Sequence, residues 1–201
     1  MKSITTRTFD SIRQLDGLSL RAMEQHYALY KGYIEKYNKL ITKFAYTLVK
    51  GGAYMTGDMQ SMKVDITYAL AAVKNHELFF EILGGAGPPP AGELQTTIND
   101  EFGGMDQFLS DLKQTSIASR GWCWTAYDID QGHLFNYPGS TQSAIPVWNA
   151  IPIVGVDMYG HAYLYDYGNN RKGYVEAVLR NIDWSKVAAR LAMARAMAPL
   201  A

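Results

Sequence analysis

Asp157 and His161 stand four residues apart in the stretch Asp157-Met-Tyr-Gly-His161. One helical turn between them would bring a carboxylate oxygen and an imidazole nitrogen to the same side. Such a pair suits Fe, Mn or Zn rather than a soft, thiophilic ion. The spacing is common, and an exposed Asp and His at a strand end would look the same. The other histidines are His26, His76 and His133. The lone Cys123 excludes an internal disulfide and any Cys-rich zinc site, and it is compatible with a reducing compartment.

The elements that must position these groups follow from apolar periodicity. Residues 150–157, AIPIVGVD, read as a buried strand that delivers Asp157 at its end. Residues 1–17 read as an irregular arm closed by Gly17. From Leu20, apolar positions recur every three or four residues through Leu48, which predicts a long amphipathic helix ended by Gly51-Gly52. His26, Tyr30 and Tyr33 share one face of it. Taken alone, a histidine on such a face is more often a hydrogen-bonded core residue than a ligand. A second helix is expected over about Met62 to Leu83, with His76 in its buried stripe. Two antiparallel helices carrying one inward His each can bring both imidazoles together. Residues 84–92, GGAGPPPAG, form a linker, so the chain divides into a helical-hairpin domain (1–83) and a second domain (93–201). In the second domain two short helices break at Gly103-Gly104. A hairpin then turns at Asp130-Gln131-Gly132, a loop carries Gln142, the 150–157 strand completes a small sheet, and a last helix follows Asp183-Trp184 and ends at Pro199. His133 lies at the hairpin turn and reads as solvated.

Lys+Arg and Asp+Glu balance at 19 each, which asks for neither nucleic acid nor an anionic membrane as partner. No run approaches 18 apolar residues, and the N-terminus lacks the apolar core of a signal peptide, so a soluble cytoplasmic protein is expected. Three imidazoles and one carboxylate, with a fifth position for water, would make a mononuclear redox-metal site.

NHELFFEILGG (75–85), GWCW (121–124) and DMYGHAYLYDYGNNRKGYVEAVLRNIDW (157–184) together resemble the iron/manganese superoxide dismutases, and the order of motifs is also that family's. The resemblance spans roughly residues 18–190. It implies an α+β fold, with an N-terminal long α-helical hairpin and a C-terminal α/β domain holding a three-stranded antiparallel sheet. It implies one Mn or Fe ion per chain, held by His26, His76, Asp157 and His161, and an antioxidant oxidoreductase that converts superoxide to dioxygen and hydrogen peroxide. Tyr33 matches the family's gateway tyrosine, one residue nearer the first ligand than in many members. Phe79, Phe80, Trp122 and Tyr159 match the aromatic cage around the site. The family holds solvent at the metal with a glutamine. One branch supplies it four residues before the second ligand, where this chain has Ala72; the other supplies it from the loop where this chain has Gln142. The second arrangement is the manganese-type one and tips the expectation toward Mn.

Family members also carry a Glu before the last His that reaches the partner subunit, where this chain has Gly160. A second cross-subunit bridge is lost at Tyr30 and Leu164. The expectation is a homodimer or higher homo-oligomer with an altered, aromatic contact near Tyr30 and Tyr163. The alternative is a catalytically degenerate dismutase-like fold kept as a structural or interaction protein. A non-haem iron oxygenase fits less well, because four protein ligands leave little room for both substrate and dioxygen.

Overall fold

The computed structural model describes residues 1–49, 56–85, 90–143 and 147–197. Two long helices, α1 (Leu20–Val49) and α2 (Thr56–Ile82), form the hairpin. Met23, His26, Tyr30, Ile34, Tyr37 and Ile41 make the buried stripe of α1, spaced by three and four residues as a 3.6-residue period requires. They face Ile66, Ala69, Ala72, Val73 and His76 of α2, where the two buried alanines let the helices approach closely. Helix α2 starts six residues before the expected Met62. Thr56-Gly57-Asp58 has low helix propensity, but Asp58 in the first turn complements the helix dipole. The expected helix end at Gly51-Gly52, the middle of the linker (86–89) and Pro199 lie outside the described residues.

Helices α3 (Glu93–Phe102) and α4 (Met105–Ala118) are separated at Gly103, whose φ of 80° is the left-handed value that favours glycine. Strands β1 (Trp122–Asp128), β2 (His133–Gly139) and β3 (Ala150–Asp157) make one antiparallel sheet in the order β2-β1-β3. The register pairs Trp122 with Asp157, which sets an indole beside the carboxylate at the strand end. Trp124 stacks on Trp122 with ring centroids 4.8 Å apart, and its ring lies over Gly155, where a Cβ would meet the indole at 2.5 Å. His133 opens β2 beside Phe135, on the hairpin as expected.

Helices α5 (Gly160–Tyr167), α6 (Arg171–Arg180) and α7 (Trp184–Arg195) complete the chain. Asn170 and Asp183 cap α6 and α7 by accepting from Gly173 N and Ser185 N. The two halves are joined where Asp183 N donates to Ile82 O and Gly84 N donates to Asn181 O. The N-terminal arm is irregular, as expected, but tied down. Ile4 and Asn38 exchange two hydrogen bonds, and Ser11 Oγ donates to Phe80 O at 2.7 Å.

Candidate metal centre

Four elements converge on one point. Helix α1 brings His26, α2 brings His76, the end of β3 brings Asp157 and the first turn of α5 brings His161. One ligand-capable atom from each lies within 4.8 Å of all the others. Asp157 Oδ2 is the hub, 3.1 Å from His26 Nε2, 3.0 Å from His161 Nε2 and 3.5 Å from His76 Nε2. Its other oxygen accepts from Tyr159 N at 2.9 Å, which fixes the carboxylate as the strand turns into α5.

The tautomer of His76 follows from its neighbours. Its Nδ1 lies 2.6 Å from Ala72 O, a pure acceptor, so Nδ1 carries the proton and Nε2 keeps a lone pair. That Nε2 is buried and has no hydrogen-bond partner. An orphaned imidazole lone pair beside a carboxylate and two more imidazoles is the donor set of a borderline-to-hard transition metal, and the residues fit Fe or Mn. Burial pushes the His26 and His76 imidazoles below their ordinary value, His76 to about 3. Burial opposes ionisation of Asp157, but hydrogen bonds from His161 and His26 outweigh it and hold the carboxyl well below the usual range. Burial thus favours neutral imidazoles at His26 and His76 beside an ionised Asp157, and ligation by any of the histidines requires its Nε2 to present a lone pair.

Aromatic rings wall this cluster. Phe79 and Phe80 lie 5.0 and 5.1 Å from the His26 ring, Trp122 lies 5.3 Å from His76, and Tyr159 stacks on His161 at 5.3 Å. Gln142 reaches the same place from the loop after β2. Its Oε1 accepts from Trp122 Nε1 at 2.9 Å and from Asn75 Nδ2 at 3.1 Å. Indole nitrogen can only donate, so the amide orientation is fixed and Nε2 is the free donor. Nε2 is buried without a hydrogen-bond partner. Tyr33 in turn packs 5.5 Å from the His76 ring, so its position one residue nearer His26 still brings it to the cluster.

A sequence model described as "Iron/manganese superoxide dismutases, C-terminal domain" matches residues 90–190. A superoxide dismutase [Fe] of Aquifex aeolicus is 34% identical over 181 residues, covering 87% of this chain and 84% of that protein. The chain belongs to the iron/manganese superoxide dismutase family. A superoxide dismutase [Mn] of Thermus aquaticus is 28% identical over 175 residues, 83% of this chain and 85% of that protein. One named for Mn from Haloarcula marismortui is 32% identical over 114 residues, 56% of each. Membership and the donor set together make the cofactor Fe or Mn.

Tyr30, expected near a subunit contact, offers no side-chain surface for one: it is fully buried within the chain, and its hydroxyl donates to Glu77 Oε1 at 3.0 Å. It sits among Phe9, Tyr27 and Phe80, where the arm covers it. The neighbour of Gly160 is instead Leu164, whose Cδ1 would lie 2.8 Å from a Cβ added there. Two residues escaped the sequence reading. Asn75 stands beside His76 in a quoted motif, yet its bond to Gln142 spans 67 residues. Tyr68 lies eight residues before His76, and the 68, 72, 76 spacing on one helical face was the available signal.

Proposed function

We propose that the chain disproportionates superoxide, 2 O2•− + 2 H+ → O2 + H2O2, at one Fe or Mn ion held by His26, His76, Asp157 and His161. When bound, the ion supplies one-electron cycling between its trivalent and divalent states. Asp157 balances part of its charge, and Ala72 O orients His76 through Nδ1. Phe79, Phe80, Trp122 and Tyr159 keep bulk water from the ligands and hold them rigid. Gln142 Nε2, held by Trp122 and Asn75, offers a hydrogen bond to solvent at the cluster. Tyr33 links that solvent to the outside and delivers protons to the peroxide.

The observation that carries this reading is the buried His76 Nε2, which has no hydrogen-bond partner and lies 3.5 Å from Asp157 Oδ2. An unbonded buried nitrogen costs free energy unless something occupies it. The intact cluster also disfavours an inert structural module. Metal content and superoxide turnover, measured on one preparation of wild type and His76→Ala, test the reading. The variant should lose both, and a variant that kept full metal would exclude His76 as ligand.

For the metal, Ala72 opposite a loop-borne Gln142 favours manganese, while two relatives named for iron, at 34% and 33% identity, favour iron. We retain manganese, to be decided by analysis of protein from its native host. We further propose a homodimer through the face of α5, where Leu164 and Tyr165 are 54% and 48% exposed and His161 lies 29% open. Without a carboxylate at Gly160 the contact is apolar, and sedimentation across a dilution series should show a dimer that dissociates reversibly. A cytoplasmic location suits the single buried thiol of Cys123, and cell fractionation checks it.

A further inference from the structure

One arginine of the last helix reaches two elements that each carry a candidate ligand. Arg190 of α7 donates from Nη1 to Glu81 Oε2 on α2 at 3.1 Å and from Nη2 to Pro152 O on β3 at 3.3 Å. Glu81 stands five residues after His76, and Pro152 stands five residues before Asp157. Among the described residues no hydrogen bond runs directly between α2 and β3, so the guanidinium supplies a polar tie that the two elements lack between themselves. The tie falls where β3 needs one. β3 is an edge strand, and its pairing with β1 slips between Thr125 and Ala126, passing over Ile153. Such a bulge leaves one residue out of the ladder and bends the strand. Past the bend the strand runs on to Asp157, and Arg190 holds the carbonyl at the bend itself.

We propose that Arg190 is a positioning residue for the cluster, its guanidinium tying α2 to the bulged edge of β3 and so setting how His76 Nε2 and Asp157 Oδ2 face each other. The inference rests on the cluster being the metal site proposed above. The side chain of Arg190 is only 22% exposed, and its third donor, Nε, is buried with no partner. A buried ion pair with a donor left unmet is a poor source of stability, and a well-packed apolar side chain often serves as well. An apolar side chain could not hold two acceptors at the fixed spacing of a planar fork. Arg7 also approaches Glu81, at 3.7 Å, but its ion pairs are with Glu77 and Glu81, both on α2, so it leaves β3 untied.

The test uses the whole chain loaded with Mn(II), or with iron where manganese does not bind, and compares wild type with Glu81→Ala and Arg190→Lys. Lysine keeps the charge but not the planar fork that reaches both acceptors. Each change should speed release of the ion to a chelator about 2- to 10-fold, the value of one hydrogen bond. The electron paramagnetic resonance spectrum of the bound ion, which reports the symmetry of its ligands, should shift in both variants. The double variant should release the ion no faster than the single ones, because both changes cut the same tie. Glu81 is 36% exposed, so its variant reads the tie even where a change at Arg190 prevents folding. A lowered melting midpoint with the wild-type spectrum and release rate would make Arg190 an ordinary structural pair and overturn the proposal. Additive effects in the double variant would overturn it too, since the two residues would then act separately. Wild type that takes up neither ion at the cluster would overturn the metal-site reading itself, and the role of Arg190 with it.

Discussion

His76 and His161 both bring Nε2 to the same oxygen of Asp157, at 3.5 and 3.0 Å, but from different ground. His76 is wholly buried in α2, its other nitrogen taken by the preceding turn, with Trp122 against its edge and Gln142 beyond. His161 stands in the first turn of α5 with its side chain 29% exposed, stacked on Tyr159 and next to a glycine. The inner wall is buried, with His76 bonded to Ala72 and Gln142 bonded to Trp122 and Asn75. The outer wall is made of half-buried tyrosines open to water. The contrast teaches that one site divides two tasks. On the proposed function, the inner wall would set charge and geometry, and the outer wall would admit the substrate.

The largest effect should come from acid, which attacks the inner wall. His76 is held near 3 against an ordinary 6.5, so between these values the unfolded chain takes up a proton that the folded chain refuses. The stability of the metal-free protein therefore falls as pH drops from about 6.5 toward 3. The lowered value of His26 acts in the same direction. The depressed carboxyl of Asp157 adds stability above the ordinary carboxylate range, and this is lost as pH falls through its lower folded value. Thermal melts of metal-free protein across this range should show a steadily falling midpoint. Bound metal should raise the midpoint most at neutral pH, because protons compete with it for the same lone pairs. A midpoint independent of pH would mean that the inner wall is not held in its neutral form.

Next in size is Gln142→Ala, which should keep the metal and lower turnover roughly 10- to 100-fold, as for other lost outer partners of a metal site. Trp122→Phe keeps a ring in the cage but removes the donor that fixes the Gln142 amide. It should lower turnover about 2- to 10-fold, the value of one hydrogen bond. If Trp122→Phe cost as much as Gln142→Ala, the orientation of the amide would matter as much as its presence. If it cost nothing, Asn75 alone would suffice to hold it.

The inner wall was more legible in the sequence than the outer one. The β-branched run 150–157 could only be a buried strand, and it ends at Asp157 as expected. The periodicity of α1 and α2 placed His26 and His76 on facing stripes, because helical phase fixes which residues point inward. Phase does not say which neighbour a residue meets. Tyr30, one turn from His26, was expected at a subunit contact, yet the irregular arm covers it and Glu77 takes its hydroxyl. The packing of Tyr33 against Tyr68, ring centroids 6.3 Å apart, depends on how α1 and α2 sit together, and no local pattern encodes that. The start of α2 was misjudged for a simpler reason: Thr56-Gly57-Asp58 reads as loop until the dipole contribution of Asp58 is counted.

The central claim is that His26, His76, Asp157 and His161 hold one Fe or Mn ion. Anomalous diffraction recorded on either side of the Fe and Mn absorption edges, from crystals of active protein, tests it most directly. A single strong peak per chain is expected, bonded to the Nε2 atoms of His26, His76 and His161 and to Asp157 Oδ2. Active crystals with no peak at this cluster, or with a peak bonded to other residues, would contradict it.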